Sequence, residues 1–225
     1  MTDTTNGACV FDAYGTLLDV ASAAAKCADT LGGKAPFLGQ LWRTKQLEYS
    51  WLRSLMGEHA DFWQITGDAL DFAMETVGVD DAALRQRLMD LYFTLEAFPE
   101  VSGILRALKE NGIRTAILSN GSPAMLKGAI DHAGIAELLD AVYSVEDVGI
   151  FKPHPSVYQM AVDGLGLPAN SIRFLSSNAW DVAGASHFGF RVIWVNRYGQ
   201  AAERLPGGPE HVIRDLGGLL PVLGL

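Results

Sequence analysis

The chain is poor in the residues that build disulfide scaffolds and metal-bound sites. Two of its 225 residues are cysteine, Cys9 and Cys27, too few for a disulfide framework. Cys9 sits inside an apolar run, and the pair reads as small hydrophobes in a reducing compartment. The five histidines, His59, His132, His154, His187 and His211, are scattered, and no two stand at metal-ligand spacing. Basic residues are the minority charge, 17 Lys and Arg against 26 Asp and Glu, for a net charge of −9. With no basic stripe to meet phosphates, nucleic acid is excluded as a partner. A small anionic substrate is not, because one local Arg and Lys reverse the field inside a cleft. No stretch approaches the roughly 18 uninterrupted apolar residues of a membrane span. Residues 1–7 are polar and carry no basic region followed by an apolar one. A soluble, cytoplasmic protein without membrane or nucleic-acid partners is expected. G-x-S-x-G, the Walker loop and a strand-linked G-x-G-x-x-G are missing as well, which removes the usual serine-hydrolase and nucleotide-binding readings.

What is present is apolar material, 49% of the chain, arranged in two textures. Ala8-Cys9-Val10-Phe11 is a short unbroken apolar run, the signature of a strand buried on both faces in a parallel sheet. From Val20 to Phe98 the pattern is helical. A long helix is expected through Trp42, Thr44–Glu48, Trp51-Leu52 and Leu55-Met56, broken at Gly57. A second carries Ile65, Ala69, Phe72 and Thr76 up to Gly78, and a third runs through Leu84, Leu88, Leu91 and Leu95. From Val101 strand and helix alternate. Strands are expected at Thr115–Leu118, Ala141–Ser144, Ile172–Leu175 and Arg191–Val195. Helices are expected after Ser122-Pro123 (N-cap and first-turn proline), over Val157–Leu165 and over Ala179–Phe188. The expected fold is α/β: a doubly wound parallel-sheet, Rossmann-like core of residues 1–19 and 99–225, with an all-helical cap of residues 20–98 inserted.

Four expected strand ends terminate in polar groups: Asp12; Ser119-Asn120; Lys152, beyond the third strand; and Ser176-Ser177-Asn178 with Asp181. One such end is ordinary loop chemistry, whereas four that converge on one sheet edge make a site. A carboxylate at the first is a nucleophile, a metal ligand or a turn-former.

These four segments, in this order and spacing, resemble the haloacid dehalogenase superfamily over the whole chain. Most members are phosphatases with an Asp-x-Asp pair and a Mg²⁺ ion. Here the second carboxylate is replaced by Tyr14, and Ser and Asn stand in the last motif where phosphatases commonly keep a carboxylate. That substitution disfavours a phosphatase, which would lack both its acid and its charge neutralisation. The sequence is similar to one branch in particular, the L-2-haloacid dehalogenases, in Asp12–Thr16, Leu41–Tyr49, Leu118–Pro123 and Ser176–Asp181.

The resemblance implies attack by the Asp12 carboxylate on C2 of a short (S)-2-haloacid, inversion, and hydrolysis of an aspartyl ester. It implies neither metal nor organic cofactor. Arg43, with Asn120, would stabilise the halide. Ser119 and backbone amides after Asp12 would hold the substrate carboxylate. Lys152 would keep Asp12 ionised. Asp181 would direct water, with Ser176 and Asn178 positioning Lys152 and Asp181, and Asn178 is also a candidate N-cap. Thr16 would bond Asp12, and Tyr158 would stand behind the reacting groups. Tyr14, Leu47, Phe62 and Trp180 would line the pocket for the alkyl arm. A homodimer is likewise implied. The alternatives are a Mg²⁺-dependent phosphatase, a haloacetate- or fluoroacetate-preferring dehalogenase of the same branch, and a non-catalytic binding protein on the same scaffold.

Overall fold

The computed structural model describes residues 7–20 and 28–225, so Cys27 and residues 1–6 lie outside the described residues. Strand β1 (Ala8–Phe11) is wholly buried and pairs in parallel with β2 (Arg114–Ser119) on one side and β4 (Ile172–Ser176) on the other. Burial on both faces and both edges explains why this run is apolar without alternation. Strands β3 (Ala141–Ser144), β5 (Arg191–Val195) and β6 (His211–Ile213) complete a six-stranded sheet in the order β3-β2-β1-β4-β5-β6. All its pairings are parallel, as expected for a Rossmann-like core. The order changes direction around β1, and ligands in such sheets bind at the carboxyl ends near that point. The register opposes Phe11 to Leu175 and Ile117, and Asp12 N–H continues the ladder to Leu175 O at 2.9 Å. Asp12 and Ser176 therefore leave the sheet side by side.

After Asp12 the chain folds back on itself. The N–H groups of Leu17 and Leu18 both reach Ala13 O, and Gly15 N–H reaches Leu18 O. Gly15 takes φ of +84°, a left-handed value that glycine adopts without strain. The chain then leaves the core along Leu17–Asp19 and returns along Glu96–Phe98. The two segments run antiparallel, tied by Asp19 N–H to Glu96 O (2.9 Å) and Phe98 N–H to Leu17 O (3.0 Å).

Between them lie α1 (Ala35–Met56), α2 (Phe62–Thr76) and α3 (Ala82–Asp90), after a helical segment at Ala28–Leu31. Gly57, at φ +71°, ends α1 as expected, and Asp61 and Asp81 cap α2 and α3 through their side chains. Two expectations need correction. The third helix does not run to Leu95 but ends at Asp90 and tightens into a 3₁₀ turn, Leu91–Phe93. The strand-like return at Ala97 requires extended chain there. In α2 the buried face carries Ile65, Thr66, Ala69, Leu70 and Ala73, whereas Phe72 and Thr76 face outward. Lys45 Nζ covers the Phe72 ring at 4.7 Å.

Helices α4 (Val101–Glu110), α5 (Pro123–His132), α6 (Pro155–Leu165), α7 (Ala179–Phe188) and α8 (Leu219–Leu223) accompany the sheet. Ser122 caps α5 ahead of Pro123, as the sequence predicts. No helix of the described residues is long and apolar enough to cross a membrane.

Candidate active site

The carboxyl ends of β1 and β4 and the loop beyond β3 deliver three ionic side chains to one buried point. Lys152 Nζ lies 3.1 Å from Asp12 Oδ1 and 2.9 Å from Asp181 Oδ2. The Lys152 and Asp181 side chains are 1% and 0% exposed. An ammonium so buried loses hydration, and burial alone pushes its pKa down. Here the fields of Asp12 and Asp181 outweigh that and hold Lys152 above its ordinary value, so it stays a cation. Burial pushes the Asp181 carboxyl up; the Lys152 charge pulls it back only in part, with Asp12 adding repulsion. Tyr158 donates to Asp181 Oδ1 at 2.8 Å, the position expected for a group behind the reacting ones.

Asp12 is almost fully enclosed. Its Oδ2 accepts from Thr16 Oγ1 at 3.1 Å and from Asn178 Nδ2 at 2.9 Å, while Oδ1 faces Lys152. Thr16 is fixed in turn: its Oγ1 accepts from Ser177 N–H at 2.8 Å, and its carbonyl accepts from Arg197 at 2.8 Å. Arg197 also pairs with Glu100 at 2.7 Å and lies over the Phe98 ring at 3.7 Å, so one side chain ties the Asp12 turn to the returning segment.

Arg43, on α1, reaches the site from the helical side. Its Nη2 donates to Asn178 Oδ1 at 3.2 Å and its Nη1 to Gln46 Oε1 at 2.6 Å. Asn178 thus bridges Asp12 and Arg43. This displaces its expected capping role: it occupies the N-cap position of α7, but its side chain makes no cap bond. Ser176, at the end of β4, accepts from Asn178 N–H through its Oγ at 3.1 Å. Asn120 anchors the backbone of the lysine, its Oδ1 accepting from Lys152 N–H at 3.1 Å. Ser119 is buried at the end of β2 and accepts from Gly121 N–H at 3.1 Å. Any side chain at Gly121 would place its Cβ 2.6 Å from the Tyr14 ring.

A cavity of about 640 Å³ opens from Arg43 outward, lined by Tyr14, Trp42, Arg43, Tyr92, Asn178 and Tyr198 among others. Tyr14 faces it as expected, and burial with neighbouring Tyr92 and Asp12 raises its phenol pKa so that it stays neutral. Leu47, Phe62 and Trp180 do not line this cavity. Phe62 packs between Tyr14 (6.1 Å between ring centroids) and Phe151 (6.0 Å), and Trp180 packs edge-on against Trp51 at 5.3 Å. The buried hydroxyl of Tyr14 and the indole N–H of Trp180 have no hydrogen-bond partner among the described residues.

Sequence reasoning assigned no site role to Gln46, Thr66, Tyr92 and Arg197, nor to Ser177 within its polar strand end. Gln46 carried a signal, since the buried positions of α1 fall at 38, 42, 46 and 50, strictly four apart, and two of the four are polar. A polar residue on an apolar stripe must find a partner. Arg197 carried none, lying in an irregular loop after β5.

Among the described residues no group of three or more His, Cys, Asp or Glu side chains is placed to hold a metal ion. Asp12 and Asp181 already share a lysine ammonium, so the donor set does not fit a divalent cation.

Residues 7–189 match the family model for haloacid dehalogenase-like hydrolases. The chain is 48% identical over 217 residues to (S)-2-haloacid dehalogenase 1 of Pseudomonas sp. (strain CBS-3), covering 96% of each. Among solved structures, it resembles a dehalogenase with intermediate complex (TM-score 0.96, 45% identity, all of both chains). It also resembles the L-2-haloacid dehalogenase from Xanthobacter autotrophicus with chloropropionic acid covalently bound (TM-score 0.90, 36% identity, 97% of this chain and 98% of that one).

Proposed function

Given that the chain belongs to the haloacid dehalogenase-like hydrolases, we propose that it hydrolyses short (S)-2-haloacids to (R)-2-hydroxyacids and halide, with Asp12 as the nucleophile. The observation that carries this reading is the Asp12–Lys152–Asp181 cluster, with Arg43 linked to Asp12 through Asn178. A buried carboxylate paired with a buried ammonium suits a nucleophile, and a guanidinium at the edge of the cavity suits a weakly hydrated departing anion.

Asp12 attacks C2 of the substrate, a C–O bond forms, and the C–halogen bond breaks with its electron pair leaving on the halide toward Arg43. Oδ1 is the attacking oxygen, because Oδ2 already accepts from Thr16 and Asn178. Those same donors then stabilise the oxyanion on Oδ2 when water adds to Cγ of the ester. Asp181 takes the proton of that water, consistent with a carboxyl held above its usual range. The hydroxyacid leaves with the original Asp12 oxygen. Ser119 and the amides following Asp12 hold the substrate carboxylate. Residues 20–98 act as a cap on a core of residues 1–19 and 99–225. The protein acts in the cytoplasm as a homodimer.

A halide leaves without protonation, so the chemistry needs no acid where Tyr14 replaces the second aspartate of a phosphatase. The test is halide release from each enantiomer of 2-chloropropionate, with and without EDTA. Release from the (S) form alone, unchanged by chelation, is expected. Release that requires Mg²⁺, or phosphate release from a phosphomonoester, would restore the phosphatase reading.

A further inference from the structure

We infer that Gln46 is a positioning residue of the reaction, fixing the Arg43 guanidinium for the departing halide and so setting how far chloride is disfavoured against bromide as a leaving group. The inference rests on the dehalogenase reading above. Gln46 is fully buried within the helical layer, and its carboxamide has a partner on each side. Oε1 accepts from Arg43 Nη1 at 2.6 Å, while Nε2 donates to Thr66 Oγ1 at 2.7 Å and to Tyr92 OH at 3.1 Å.

The direction of this chain is settled by its far end. Thr66 gives its own hydroxyl proton to Phe62 O at 2.5 Å, so toward Gln46 it acts only as an acceptor. The amide nitrogen must face Thr66, and the oxygen must face Arg43. Thr66 is held further by Trp42 Nε1, which donates to its carbonyl at 2.8 Å. Ser50, the other polar residue on the buried stripe of α1, bonds back to Gln46 O within the helix. Of the two polar residues on that stripe, Gln46 is the one whose side chain bonds Arg43.

Arg43 has two ties, one to Gln46 on its own helix and one to Asn178 on the core. Asn178 also donates to Asp12, and Arg43 lines the open cavity. Without Gln46 the guanidinium would keep only the tie that draws it toward the nucleophile, or would turn into the cavity. Either shift moves the guanidinium from the place at the cavity edge that Gln46 and Asn178 together give it. A neutral amide suits the task, because a carboxylate there would pair with Arg43 and compete with the halide. Chloride is the poorer leaving group and gains more from a well-placed cation, so misalignment penalises chloro substrates more than bromo ones.

The experiment compares wild type with Gln46→Met, Gln46→Glu and Thr66→Val, using (S)-2-chloropropionate and (S)-2-bromopropionate. Single-turnover rates are read alongside inhibition by added bromide, with melting temperature recorded for each variant. Gln46→Met is expected to slow ester formation from the chloro substrate about tenfold, the scale of one lost hydrogen bond to a charged group. The bromo-to-chloro rate ratio should rise, while KM stays within about twofold because the carboxylate contacts are untouched. Gln46→Glu should weaken bromide inhibition most. Thr66→Val, which only loosens Gln46, should shift the ratio in the same direction by less. An unchanged ratio, with both substrates slowed equally or not at all, overturns the assignment and leaves Gln46 a structural residue. A wild-type protein that releases no halide from either substrate instead overturns the dehalogenase reading.

Discussion

The two sides of this site are built differently. On the core side, Asp12 follows β1, Lys152 lies in the loop beyond β3 and Asp181 stands in the first turn of α7 after β4, and the three form a charge cluster closed to solvent. On the helical side a single half-buried cation, Arg43, stands on one helix at the edge of an open cavity, held by neutral amides. The contrast separates two tasks. The nucleophile needs a fixed position and a counter-charge, which Lys152, Thr16 and Asn178 provide; the leaving group needs a passing interaction and a way out. Asn178 is the hinge between them, touching Asp12 with its nitrogen and Arg43 with its oxygen.

The contrast should break most visibly at the core. Asp12→Asn is expected to reduce halide release by about 10⁴-fold or more in single-turnover assays, since the nucleophile itself is lost. Lys152→Met should lower both activity and stability, by on the order of 3–5 kcal/mol at neutral pH, because two carboxylates then share a buried site without a cation. The sign with pH is diagnostic. That penalty comes from ionised carboxylates, so it should shrink as pH falls and they take up protons, which denaturant titrations at pH 8 and pH 5 would resolve. A penalty that grows toward acid pH would contradict the arrangement.

On the helical side the same kind of change should act on rate and spare the fold. Arg43→Lys keeps the charge but not the planar fork, and about a 10²-fold fall in the rate of ester formation is expected with the melting temperature nearly unchanged. The smallest effect sharpens the core account. Burial holds the Asp181 carboxyl above its ordinary range, so the acid limb of ester hydrolysis should lie above that range, with activity lost as pH falls through it. The Tyr158 hydroxyl opposes that rise by hydrogen bonding to the ionised form. Tyr158→Phe should therefore move the limb to still higher pH and slow ester hydrolysis about tenfold, measured as decay of the intermediate.

Much of this was legible in the residues. The β1 run, the alternation after Val101 and the four polar strand ends depend on local pattern, and the sheet order then brought Asp12, Ser176 and Asp181 together. The helical region was less legible. The Leu84–Leu95 periodicity continued past the real helix end because Leu91 and Leu95 still pack inward after the chain changes geometry. Direction was the least legible property of side chains. Asn178 sits at an N-cap position with an N-cap residue type and points elsewhere, and Asn120 turns its carbonyl oxygen to the Lys152 backbone. Which of several nearby polar groups satisfies which partner depends on ångström-scale placement that pattern does not encode.

The central claim is that Asp12 attacks carbon and water later attacks Asp12. A single turnover of (S)-2-chloropropionate in ¹⁸O-water, followed by mass spectrometry of the Asp12 peptide and the product, tests it directly. The account predicts one ¹⁸O atom on Asp12 and unlabelled hydroxyacid. Label in the hydroxyacid with none on Asp12 would mean that water attacks C2 itself, and would contradict the account.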